Sequence, residues 1–171
     1  SVVQKTIHNL DSFPFPDHSD FLAAFNASTV PLFMQPELTV ETSRGCWWGE
    51  KHHCTFCGLN GLAMHYRSKS AERAITEIRH LRDTYGISTF FMTDNILDVS
   101  YFRTVFPELR EEGTQLQLFY EMKANLKKEQ FRTLRDLGTT WLQPGIENLS
   151  THVLQLMRKG IQGIQNVQSL K

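Results

Sequence analysis

The stretch Leu38-Thr-Val-Glu-Thr-Ser-Arg-Gly-Cys46-Trp-Trp-Gly-Glu-Lys-His-His-Cys54-Thr-Phe-Cys57-Gly58 sets an apolar, β-branched run directly ahead of a loop that holds every cysteine of the 171-residue chain. The thiols are spaced C-x7-C-x2-C. Three thiolates can hold a metal centre and leave one coordination position for an outside ligand, and thiolates favour iron–sulfur clusters, zinc and copper(I). A structural zinc needs a fourth protein ligand, which His52 or His53 would supply. Zinc ribbons usually present two paired knuckles, however, and only Cys54-Thr-Phe-Cys57 is paired. A cluster of four irons normally takes four cysteines, so three leave one iron open. Unrelated core cysteines are the third reading, against which stands their crowding into one loop.

Outward from the loop, the chain becomes periodic. Leu38 to Thr42 is expected to be a strand. Ser70 to Tyr85 carries Ala74, Ile75, Ile78 and Leu81 at helical spacing, with Ser70 as N-cap and Gly86 just past the end. Ile87 to Thr93 reads as a strand closed by Asp94-Asn95. Ser100 to Glu112 reads as a helix that Pro107 breaks or kinks. A third strand is expected over Leu116 to Glu121, then a helix from Asn125 to Leu137 ended by Gly138. A fourth strand over Thr140 to Ile146 leads to a helix over Ser150 to Lys159. Ahead of all this, residues 1–36 are punctuated by Pro14, Pro16, Pro31 and Pro36 and read as a linker or wrapping arm, with one short helix from Ser19 to Phe25 capped by Ser19.

Strands alternating with helices of this length predict an α/β fold with a parallel sheet. In such sheets functional groups gather at the carboxyl ends of the strands. The cysteine loop, Asp94-Asn95, Glu121 and Glu147 all fall at expected strand ends, so the topology converges them on one site.

Composition narrows the function classes. Eighteen basic residues balance eighteen acidic ones, which gives no bulk attraction to nucleic acid or an anionic membrane. No apolar run approaches the roughly 20 residues that span a bilayer, and no signal peptide is visible. An odd, clustered set of cysteines makes a poor disulfide framework, so a reducing cytoplasm is expected. The chain starts at Ser1 without methionine and stops after Gln168-Ser-Leu-Lys171, which reads as a piece of a longer protein.

The cysteine loop resembles the cluster-binding loop of the radical S-adenosylmethionine (SAM) superfamily. The usual superfamily spacing is C-x3-C-x2-C, so the first interval here is four residues longer. Arg44-Gly-Cys-Trp-Trp and Cys54-Thr-Phe-Cys57-Gly-Leu-Asn-Gly are similar to one subgroup, the enzymes that mature ribosomally made peptides, many of which carry an upstream cobalamin-binding domain. The arm Leu10-Asp-Ser-Phe-Pro-Phe-Pro-Asp is similar to the segment that joins such a domain to the core.

The resemblance implies that Cys46, Cys54 and Cys57 ligate three irons of a [4Fe–4S] cluster and that SAM chelates the fourth. Reductive cleavage of SAM would yield a 5′-deoxyadenosyl radical that modifies a precursor peptide, with cobalamin-dependent C-methylation among the outcomes and an electron donor as second partner. It implies that Phe56 lies near the adenine. It also implies that Asp94 and Asn95 stand where the family binds the SAM amine, although Met-Thr-Asp-Asn replaces the usual Gly-Gly-Glu. Glu121 and Glu147, the latter in a Gly-Ile-Glu segment, would accept hydrogen bonds from ribose hydroxyls or the amine. The expected architecture is a partial TIM-like barrel of about four βα units, with residues 37–171 as the truncated amino-terminal part of the core. Epimerase or thioether-forming radical SAM chemistry, and a non-catalytic zinc module, are the rival readings.

Overall fold

The computed structural model describes residues 7–59, 61–113 and 115–171. The first six residues of the arm and Asn60 of the Cys57-Gly-Leu-Asn-Gly motif lie outside them. Helix α1 spans Ser19–Ala27 and precedes strand β1, Leu38–Val40. Ser19 is not its cap: Asp17 Oδ1 accepts the Ser19 N–H at 2.8 Å, so the signal lies two residues upstream. Residues 11–18 run along the helix that follows the cysteine loop. Asp11 accepts the Ser70 N–H at 2.9 Å, the Arg73 guanidinium lies 4.0 Å from the Phe15 ring, and Asp17 accepts the Tyr85 hydroxyl at 2.9 Å.

The cysteine loop leaves through β2, Ser43–Arg44, makes one helical turn, α2, over Gly49–His52, and returns through β3, Arg67–Ser68. Strands β2 and β3 pair antiparallel, Ser43 with Ser68 and Arg44 with Arg67, and so pinch the excursion at its base. Helix α3, Ala71–Tyr85, follows with the expected ends: the Ser70 side chain accepts the Arg73 N–H, and Gly86 turns the chain at φ 67°. Ala74, Ile75, Ile78 and Leu81 face the core.

Strand β4, Thr89–Met92, leads to α4, Tyr101–Thr104, and α5, Phe106–Glu111. The single expected helix breaks at Val105 rather than at Pro107, because proline is tolerated in a first helical turn but restricts the residues before it. Next come β5, Gln117–Phe119, and β6, Glu121–Lys123. Helix α6, Lys128–Leu137, ends at Gly138 with φ 108°. Strand β7 is Gln143–Gly145, and the chain closes with α7, Thr151–Leu156, and α8, Gly163–Ser169.

Three strands form a parallel sheet in the order β1-β4-β5, and β6 pairs parallel with β7. Only Tyr120 separates β5 from β6, so one strand pairs first with β4 and then with β7. Beyond Tyr120 the Glu121 carbonyl accepts from the Leu97 N–H at 2.9 Å, outside any ladder. The third strand therefore continues to Lys123, and Glu121 begins its second half instead of ending it. Leu38, Val40, Phe90, Met92, Leu118 and Tyr120 point from one face into a core closed by α3, α5 and α6. The result is the expected partial α/β fold with a parallel sheet. Among the described residues no helix is long and apolar enough to cross a membrane.

Candidate functional site

The base of the cysteine loop is held by buried polar groups. Asp94, 2% exposed, accepts the Thr42 N–H at 2.7 Å, the Thr42 hydroxyl at 2.5 Å and the Ser43 hydroxyl at 2.9 Å. Tyr101 donates to the carbonyls of Thr42 and Lys69, at 3.1 and 2.8 Å. Burial raises the Asp94 pKa to about 6 against the pull of the Thr42 and Ser43 hydrogen bonds. This carboxylate ties the end of β1 to the end of β4.

Within the loop, Gly45 at φ 83° lets Cys46 turn under the returning chain; a Cβ there would lie 2.3 Å from the His65 carbonyl oxygen. The Gly49 N–H points at Cys46 Sγ, 3.3 Å away, so this sulfur already takes one backbone donor. Turn α2 occupies most of the interval between Cys46 and Cys54, which gives the long spacing a local structure. Two tryptophans anchor it on separate walls. Trp47 Nε1 donates to the Leu97 carbonyl at 3.1 Å, and Trp48 Nε1 donates to the Arg158 carbonyl at 3.0 Å.

The second half of the loop seats on the end of α7. The Thr55 N–H donates to Met157 O at 3.2 Å, its hydroxyl to Leu156 O at 3.2 Å, and Cys54 Sγ lies 3.9 Å from Arg158 O. Carbonyls left free at a helix end thus find their donors in the cysteine loop.

A cavity of about 200 Å³ opens beside these contacts, lined by Cys46, Cys54, Phe56, Cys57, Asn95, Glu121 and Glu147. Every site residue expected from the sequence is therefore brought together except Asp94, whose oxygens are spent on Thr42 and Ser43. All three cysteines are free thiols. Among the described residues no three His, Cys, Asp or Glu side chains converge closely enough to hold a single ion, and the three thiols share the lining of the cavity. Neither His52 nor His53 lines it. His52 stacks on Trp48 with ring centroids 4.3 Å apart, and His53 Nε2 pairs with the Leu59 carbonyl at 2.9 Å. Both imidazoles face a larger cavity of about 1040 Å³ that shares Trp48 as a wall.

Two lysines complete the cavity. Lys159, behind α7, reaches in to pair with Glu147 at 3.2 Å. A Cβ on Gly145 would stand 2.9 Å from Lys159 Nζ, so the glycine of Gly-Ile-Glu clears the space for this pair. Glu147 holds a left-handed φ of 55°, backbone strain of the kind that collects at functional sites. Lys123 lies 3.0 Å from the centroid of the Trp48 ring. Burial lowers the Lys123 pKa to about 8, with Lys159 adding to the effect and the thiols of Cys54 and Cys46 opposing it. Burial pushes the Cys54 thiol up while Lys159 and Lys123 draw it down.

The donor set suits an iron–sulfur centre: three soft sulfurs lining one cavity, with a backbone N–H on one of them. Asn95, Glu121 and Glu147 offer acceptors on the same wall. Lys159 goes unrecognised in the sequence as a site member, whereas Lys123 reads there either as a partner of the SAM carboxylate or as half of an ion pair with a neighbouring acid. Lys123 carried one signal, its place two residues after Glu121 on the same strand and hence on the same face. Lys159 carried none.

A family model for the radical SAM superfamily matches residues 40–168. An uncharacterized methyltransferase of Pyrococcus horikoshii is 28% identical over 96% of this chain and 35% of its own length. The hopanoid C-3 methylase of Methylococcus capsulatus is 26% identical over 81% of this chain and 26% of its own length. Among solved structures, OxsB, a cobalamin-dependent S-adenosylmethionine radical enzyme with aqua-cobalamin bound, aligns with a TM-score of 0.75 at 20% identity. That alignment covers 98% of this chain and 25% of OxsB. The chain thus spans about a third or less of the proteins it matches.

Proposed function

The chain belongs to the radical SAM superfamily, and on that premise we propose that it is the cluster- and SAM-binding part of a radical SAM methyltransferase that works with cobalamin. The observation that carries the reading is the cavity in which three free thiols meet acceptors from Asn95, Glu121 and Glu147. Cys46, Cys54 and Cys57 would hold three irons of a [4Fe–4S] cluster and leave the fourth to SAM. When bound, these groups supply reductive cleavage of the sulfonium and the radical chemistry that follows.

The chain's own residues bind and orient. The Gly49 N–H supports the Cys46 sulfur, and Trp47, Trp48 and Thr55 fix the loop against two walls. Asn95, Glu121 and Glu147 accept hydrogen bonds from the amine and the ribose hydroxyls, and Phe56 flanks the base. Asp94 holds the loop's base and leaves the amine to its neighbours. The parallel strands form the opening part of a TIM-like barrel, with residues 1–36 as the arm that enters it. An electron donor serves the cluster in a reducing cytoplasm.

Methyl transfer is supported by the names of the P. horikoshii and M. capsulatus relatives and by the cytidylyl-2-hydroxyethylphosphonate methyltransferase of Streptomyces wedmorensis, 35% identical over 75 residues. Cobalamin is supported by the fold shared with OxsB. A ribosomally made peptide as substrate rests on the Arg44-Gly-Cys-Trp-Trp resemblance, since the named relatives differ in what they methylate. Anaerobic reconstitution of the full-length protein with iron and sulfide tests the reading. Iron and sulfide close to four each per chain are expected, lost in Cys46→Ala, Cys54→Ala and Cys57→Ala. Stoichiometric zinc with no reconstitutable cluster would sink it.

A further inference from the structure

We propose that Lys123 is the charge-compensating cation of the thiolate centre and sets how readily that centre accepts an electron; the inference rests on the cluster reading above. Lys123 is the last residue of β6, is 6% exposed, and lines the same cavity as Cys46, Cys54 and Cys57. Among the described residues its ammonium makes no ion pair and no hydrogen bond. Its neighbours are the face of Trp48, 3.0 Å away, the more distant ring of Trp47 at 5.9 Å, and a second cation, Lys159, which already has Glu147 as partner.

An ammonium withdrawn from water beside another ammonium is unfavourable unless an anion faces it, and an aromatic face offsets only part of that cost. Of the acidic groups lining the cavity, Glu147 is taken by Lys159 and Glu121 makes no ion pair with Lys123, which leaves the cysteine sulfurs to face it, and Cys54 and Cys46 both favour the charged form of this lysine. The lysine is fixed to them as well: its two aromatic neighbours belong to the segment between Cys46 and Cys54, so the charge is held by the loop that carries the sulfurs.

A [4Fe–4S]²⁺ core held by three thiolates carries net negative charge. Uptake of one electron from an external one-electron reductant gives [4Fe–4S]⁺ and makes the centre more negative still. A fixed cation therefore favours the reduced state over the oxidised one. Cluster potentials respond to net charge, hydrogen bonds to the sulfurs and exposure, and Lys123 acts on the first of these.

The test uses the full-length protein reconstituted anaerobically as wild type, Lys123→Met, Lys123→Arg and, as a control on the neighbouring cavity, Lys51→Met. The midpoint of the cluster is read by EPR during titration with dithionite and mediators, and SAM affinity is measured on the same samples. Lys123→Met should disfavour reduction about tenfold, a shift of about 59 mV to more negative potential for a one-electron couple. Lys123→Arg and Lys51→Met should titrate with the wild type. Should the Met variant lose iron, Lys123→Gln is read in its place. An unchanged midpoint in Lys123→Met or Lys123→Gln overturns the inference. So does an unchanged midpoint with weakened SAM binding, which would assign the ammonium to the SAM carboxylate instead. A wild-type protein without a reducible cluster would overturn the proposed function and this inference with it, whereas a wild-type cluster whose potential ignores residue 123 overturns this inference alone.

Discussion

Trp48 packs directly on Gly160: a Cβ at position 160 would fall 2.0 Å from Cζ2 and Cη2 of the indole. The same tryptophan donates to the carbonyl of Arg158, two residues earlier, and carries Lys123 on its face. The turn behind α7 is thereby a seat for the cysteine loop, and the loop's position depends on a residue that ligates nothing.

Gly160→Ala should unseat the loop. Gly160 lies at φ 64°, where a side chain is strained, and the added methyl meets a ring that cannot withdraw without breaking its hydrogen bond to Arg158. Strain and overpacking together predict a loss of roughly 2–4 kcal/mol in urea unfolding. Iron retained after reconstitution should fall with it. Wild-type stability and iron content in this variant would refute the seating role.

Asp94 makes stability depend on pH in an unusual direction. Its folded pKa of about 6 lies above the ordinary 3.8, so between about pH 4 and pH 6 the native state binds the proton that the unfolded chain has released. Stability from this group is therefore greatest below pH 4 and declines as pH rises through 6, on the order of 3 kcal/mol across the window. Denaturant unfolding of Asp94→Asn should lack that decline. Asp94→Ala should be less stable than wild type by about 1–3 kcal/mol at neutral pH, because the Thr42 N–H is left buried without an acceptor. Parallel pH profiles for wild type and Asp94→Asn would contradict the assignment.

Glu77 is 1% exposed and receives Lys69 Nζ on both oxygens at 2.7 Å, with Arg73 at 3.2 Å. Lys69 directly follows β3, so this pair bolts α3 to the returning arm of the cysteine loop. Glu77→Gln should cost about 3–5 kcal/mol by leaving a buried ammonium unpaired, and Lys69→Met with Glu77→Leu should recover most of the loss. A double-mutant cycle by urea unfolding checks both. Additive losses would mean that the pair is not coupled.

Much of this arrangement is written in local sequence. Ser70 and Gly86 bound α3 because an N-cap acceptor and a left-handed glycine act within a few residues of themselves. The thiol spacing and the strand ends place Cys46, Cys54, Cys57, Asn95 and Glu147 around one cavity because a parallel sheet orders its carboxyl ends, and Glu121 joins them from the middle of the third strand. What escaped depends on longer-range partners. Strands β2 and β3 are too short to show a period, and α2 and α8 are a single turn and a short segment without a marked apolar face. The change of strand partner at Tyr120 follows from sheet curvature, which no dipeptide encodes. Asp94 and Asn95 are adjacent yet face opposite ways, one into Thr42 and Ser43 and the other into the cavity. Lys159 arrives from behind a helix that had to be folded before its reach was visible.

Three cysteines that hold a cluster with one iron left for SAM make a reduced centre whose electronic structure responds to SAM. EPR of the reconstituted, one-electron-reduced full-length protein, recorded with and without SAM, tests it most directly. A [4Fe–4S]⁺ signal whose g-values shift on adding SAM is expected, with no such signal in Cys54→Ala. A reduced cluster whose spectrum is indifferent to SAM, or that persists in Cys54→Ala, would contradict it.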